Sequence, residues 1–108
     1  MIPNEDRRAT PRFQAKPGNH ISYGERSALI RDLSLEGIFV FDSDPLPVGS
    51  EIIFTLQAGD QDISLQGIVR HSADQQGMGI QFTEVSAVSN RRLRIYIAGL
   101  VSAPGQRS

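Results

Sequence analysis

Ile63-Ser64-Leu65-Gln66-Gly67-Ile68-Val69-Arg70-His71 is the stretch that decides the fold. Side chains of a strand alternate between two faces. Ile63, Leu65, Gly67 and Val69 therefore point one way, and Ser64, Gln66, Ile68 and Arg70 the other. Such alternation argues for a strand with one face on a core. Gly67 on the inner face suggests a bend or bulge, as a small barrel requires.

The same period recurs on both sides. Upstream, Glu51 to Leu56 puts Ile52, Phe54 and Leu56 on one face; His20 to Tyr23, Ala28 to Ser34 and Ile38 to Phe41 are further strand candidates. Downstream, Met78, Ile80 and Phe82 alternate again. Turn signals separate the runs at Gly24-Glu25, Asp42 to Gly49, Gly59-Asp60 and Asp74 to Gly77. About six strands at short spacing predict an all-β, six-stranded antiparallel barrel whose closure hides its edges. From Val85 to Leu100 the period changes: Leu93, Ile97 and Leu100 share a helical stripe with Tyr96 beside it. Ser86 or Ser89 is the candidate cap of that C-terminal helix. Arg91, Arg92 and Arg94 mostly leave the stripe and are expected to face solvent.

The chain has 108 residues, enough for one domain that buries roughly two thirds of its unfolded surface. Residues 1–18, broken by Pro3, Pro11 and Pro17, are expected as a flexible arm; 19–100 form the barrel and helix; 101–108 fray as a disordered tail. The absence of cysteine removes disulfides, zinc-thiolate sites and a thiol nucleophile. His20 and His71 share no metal-ligand spacing, so no metal is expected. No apolar run has transmembrane length, and Met1 to Thr10 lacks a signal-peptide core, which suits a cytoplasmic protein without membrane insertion.

A net charge of -1 gives no field to attract DNA or RNA. Tryptophan is absent, and Phe39, Phe41, Phe54 and Phe82 are expected largely in the core, leaving no stacking platform for single strands. With no Ser-His-Asp arrangement and no glycine-rich phosphate loop, the chain is not expected to be an enzyme. The basic residues are more telling. Ten of the eleven are arginine, clustered at Arg7, Arg8, Arg12 and at Arg91, Arg92, Arg94. A guanidinium grips phosphate in two-point fashion and stacks on flat rings.

Within Arg31-Asp32-Leu33-Ser34-Leu35-Glu36-Gly37, strand alternation puts Asp32 and Ser34 on the outer face and Leu33 toward the core with Leu29. Gly37 falls at the turn, where a positive φ or a close ligand approach favours a residue without Cβ. Asp, Ser and Gly are also common turn residues, so this stretch alone fits an ordinary hairpin. Pro11 keeps Thr10 from helical geometry, so Arg8 and Arg12 stand on extended chain at most about 13 Å apart.

Taken together these positions resemble the PilZ domain family. Arg8-Ala9-Thr10-Pro11-Arg12 fits its Arg-x-x-x-Arg motif, and Asp32-Leu33-Ser34-Leu35-Glu36-Gly37 its Asp-x-Ser-x-x-Gly motif. Pro45-Leu46-Pro47-Val48-Gly49, Gly67-Ile68-Val69-Arg70 and Gly77-Met78-Gly79-Ile80-Gln81-Phe82 match further, so the likeness covers roughly residues 7 to 100. The resemblance implies a cytoplasmic receptor for the bacterial second messenger cyclic di-GMP, acting on a protein effector as the arm becomes ordered. It implies Arg7, Arg8, Arg12, Asp32, Ser34 and Gly37 as ligand-binding residues, with Arg7 favouring two intercalated ligand molecules. Members that lack the motifs act through protein contacts, and an adaptor with weak or no nucleotide binding is the alternative. The residue types suit the ligand. Arginine matches both phosphate and the O6/N7 edge of guanine. A carboxylate accepts from the guanine N1–H and N2–H₂ edge, and a serine hydroxyl donates or accepts. Arg70 is expected on the outer face as a surface charge, with an accessory ligand contact as the other reading.

Overall fold

A computed structural model describes residues 11–58 and 61–101. Arg7, Arg8, the Gly59-Asp60 turn and the tail from residue 102 lie outside those residues. The strands are β1 (Phe13–Gln14), β2 (His20–Tyr23), β3 (Arg26–Leu33), β4 (Gly37–Phe41), β5 (Glu51–Ala58), β6 (Gln61–Ala73) and β7 (Gly77–Phe82), followed by helix α1 (Ala87–Val101). Six of them form a closed antiparallel barrel: β3 to β2, β2 to β5, β5 to β6, β6 to β7, β7 to β4, and β4 back to β3. The seventh, β1, lies within the expected arm and adds to β3, pairing Phe13 with Leu33 and Gln14 with Asp32.

The inward set follows the two-residue period. Ile63, Leu65 and Val69 of β6 are buried, as are Ile52, Phe54 and Leu56 of β5 and Met78, Ile80 and Phe82 of β7. Each such side chain contributes about 1.5 to 3 kcal/mol by leaving water. Gly67 lies on the inner face for a different reason from the one expected. A Cβ there would collide with Gln81 O, so glycine permits close strand approach, while the bulge lies at Arg70, between the pairs Val69–Ile80 and His71–Gly79.

Helix α1 is started by Ser86, whose Oγ accepts from the Ser89 N–H at 3.1 Å. Leu93 and Ile97 are buried on the barrel, and Tyr96 and Leu100 pack beside them. Ser89 Oγ donates to Ser64 O at 2.7 Å, Arg92 to Asp62 O at 3.0 Å, and Tyr96 OH to Asn19 Oδ1. The helix thus covers the barrel near β6 and leaves the β3–β4–β7 wall open. Among the described residues no helix is long and apolar enough to cross a membrane.

Three side chains expected toward the core face outward instead. Leu29 is 53% exposed, while Ala28 and Ile30 point inward. Phe41 is 49% exposed and Phe39 is half-buried on the same outer face, since Ile38 and Val40 occupy the core. An unbroken apolar run such as Ile38 to Phe41 carries no alternation from which to choose a face.

Candidate functional site

The site is built on an irregularity in β3. Ile30 pairs with Val40 and Asp32 with Phe39, so Arg31 is an extra residue on the β3 side. A β-bulge of this kind places two consecutive residues against one and turns the strand. Its effect is that Arg31 and Asp32 are both available on the outer wall, whereas strict alternation allows only one.

Asp32 is the hub. Its Oδ1 accepts from Arg12 Nε at 2.6 Å and its Oδ2 from Arg31 Nε at 2.6 Å. Arg12 also reaches the Asp32 carbonyl oxygen at 3.5 Å. Pairing of Gln14 with Asp32 brings the leader to this point, and Ala15 N–H donates to Arg31 O at 3.3 Å. The Arg31 guanidinium carbon lies 3.9 Å from the Phe39 ring centroid, a stacked cation–π contact.

An open groove of about 640 Å³ runs beside this cluster, with Arg12, Arg31 and Phe39 on one side and Arg70, His71 and Gln81 on the other. Its volume is in the range that accommodates small-molecule ligands. The Phe39 and His71 rings lie 6.2 Å apart, and Arg70 Nε donates to Gln81 Oε1 at 2.8 Å. The second bulge, at Arg70, turns both Arg70 and His71 outward, so each side of the groove is built on a register shift. Among the described residues no group of three or more acidic, histidine or cysteine side chains is placed to hold a metal.

The expected site residues meet different fates. Arg12 and Asp32 are in direct contact on the outer wall. Ser34 does not share Asp32's exposure: it is 2% exposed, and its Oγ accepts from the Glu36 N–H at 3.1 Å. Its own N–H donates to Gly37 O at 2.8 Å, so Ser34 fastens the turn between β3 and β4. Gly37 has no positive φ; its missing side chain leaves room for β7, because a Cβ would meet Ile80 O at 2.6 Å. Ser34 and Gly37 still border the groove. Arg7 and Arg8 lie outside the described residues. Arg31 and Phe39 were not among the expected site residues, because nothing in the sequence marks the bulge that brings Arg31 to the wall.

The family model of the PilZ domain matches residues 5–99, nearly the whole chain. The chain belongs to the PilZ domain family. PilZ domains are cyclic di-GMP-binding receptor and adaptor domains rather than enzymes. No curated protein sequence matches. Among solved structures, an uncharacterized Legionella protein superimposes with a TM-score of 0.68 at 18% identity, over 85% of this chain and 95% of that one. The Bacillus subtilis inhibitor of motility MotI/DgrA superimposes with a TM-score of 0.72 at 20% identity, over 95% of this chain but 57% of that one. At those identities the likeness is one of fold, and both agree with the closed PilZ barrel found here.

Proposed function

We propose that this PilZ domain is itself a cyclic di-GMP receptor, binding its ligand on the β3–β4–β7 wall and signalling to a protein effector through the position of its N-terminal arm. The observation that carries this reading is the Arg12–Asp32 contact at the rim of the groove, made possible by the pairing of β1 with β3. Arg12, with Arg8 and Arg7 ahead of it, supplies guanidinium groups for phosphate and guanine edges. Asp32 supplies acceptors for the guanine N1–H and N2–H₂ edge. Ser34 and Gly37 shape the turn that borders the groove. The ligand is the second messenger of a bacterial cytoplasm, which is where this reading places the protein.

Isothermal titration with cyclic di-GMP tests it. Loss of one charge-assisted hydrogen bond costs about 1.5 to 3 kcal/mol, or roughly ten- to a hundredfold in affinity. Arg8→Ala, Arg12→Ala and Asp32→Ala are each expected to weaken binding by that factor. Two ligands per chain are expected at saturation, and one in Arg7→Ala. Wild-type protein that takes up no cyclic di-GMP would instead support an adaptor working through protein contacts alone.

A further inference from the structure

Arg31 stands apart from the motif arginines in two respects. Its guanidinium sits over Phe39, with the central carbon 3.9 Å from the ring centroid. Its Nε is tied to Asp32 at 2.6 Å, so the plane is held at one edge as well as on one face. The side chain nevertheless remains 50% exposed. It forms the divide between the groove of about 640 Å³ and a neighbouring hollow of about 450 Å³ that reaches Phe41 and Gln75. Arg31, Phe39 and Gln76 line both.

We propose that Arg31 is a stacking platform: a purine ring of the ligand lies on the guanidinium face opposite Phe39, making a phenyl–guanidinium–purine sandwich. This rests on the cyclic di-GMP reading above and adds a ring-binding position to it. A guanidinium is planar, delocalised and weakly hydrated, so both of its faces take aromatic partners. Phe39 and Asp32 hold that plane before the ligand arrives, which removes the ordering cost that a free arginine would carry. The hollow beyond Arg31 has room for the outer edge of the ring, and Gln75 and Gln76 bring amides able to donate and accept there. Gln75 adopts φ of 62°, a left-handed conformation uncommon outside glycine, at this point of the wall.

The test compares wild type with Arg31→Lys and Phe39→Leu by cyclic di-GMP titration, with melting curves of each to show that the barrel is intact. Lysine keeps the charge and the reach to Asp32 but has no plane. Arg31→Lys is expected to bind about tenfold more weakly, in line with a lost base-stacking contact, and Phe39→Leu to weaken binding by a smaller factor. The NMR signal of the Arg31 Nε–H should move upfield as ligand is added, as protons above a purine face do. An edge-on contact to phosphate would move it downfield. Wild-type binding with unchanged affinity in Arg31→Lys, or a downfield shift, overturns the platform and leaves the receptor reading standing. Absence of any wild-type binding overturns both.

Discussion

Two carboxylates, Asp32 and Asp42, sit at opposite ends of the same β3–β4 hairpin, and both are ion-paired to arginine. They differ in where their partners come from. Asp42 has a side chain only 5% exposed. It accepts from Tyr23 OH, from Arg26 at 2.7 Å and from the Asp44 N–H at 2.9 Å, while its own N–H donates to Gln76 O at 3.1 Å. The Asp32 side chain is itself 15% exposed, but both guanidinium groups on it are about half exposed and one comes from the leader. A buried carboxylate whose acceptors are filled from neighbouring loops and strands closes the end of a barrel. A carboxylate held by two exposed side chains can exchange a partner for a ligand at small cost, since surface ion pairs contribute only about 0 to 1 kcal/mol.

The largest effect separating the two comes from Asp42→Ala. It strands the buried Tyr23 hydroxyl, at about 1 to 3 kcal/mol, and removes the short charge-assisted bond to Arg26, at about 1.5 to 3 kcal/mol. Melting is expected to fall by more than 10 °C, since about 1 kcal/mol corresponds to roughly 4 to 8 °C in a domain this size. Asp32→Ala is expected to move the melting point by only a few degrees while abolishing most ligand affinity. Equal melting losses in the two variants would erase the distinction.

Gly37→Ala is expected to destabilise the barrel by about 1 to 3 kcal/mol, because overpacking forces strands apart. That loss should show in denaturant melts without ligand, which separates a role in strand approach from one in ligand contact. The smallest effect is one of pH. The Tyr23 phenol is pushed up to about 12, first by burial, then by the hydrogen bond to Asp42 and that carboxylate's charge. The unfolded chain loses this proton near the ordinary value of about 10. The folded state keeps it longer, so stability is full below pH 10 and declines as pH rises toward 12. Tyr23→Phe should flatten that decline, and thermal melts between pH 9 and 12 measure it.

How far the sequence carried this picture depended on whether a residue obeyed the two-residue repeat. Ile63 to Val69, Ile52 to Leu56 and Met78 to Phe82 do, and their inward faces were readable at once. So were the helix, with Ser86 as one of two candidate caps, and the pair of motifs whose Arg12 and Asp32 meet in the structure. What escaped lies past the bulges. One extra residue at Arg31 flips the register, and every assignment made by counting across it changes face. That is why Leu29 points out and why Arg31 joined the site unannounced, whereas Ser34 is buried because the strand ends at Leu33 and its hydroxyl fastens the turn. Two-residue strand β1 was also illegible, since Phe13 and Gln14 are too few to show any period and pair only because β3 offers an edge.

That short strand has a thermodynamic corollary. Phe13 and Gln14 are zipped to Leu33 and Asp32, the very backbone that presents the carboxylate. On the proposed reading, occupancy of the wall and the path of the leader are linked quantities, and linkage runs equally in both directions. A protein that gripped the leader would then raise or lower messenger affinity by the same factor by which the messenger altered that protein's own hold.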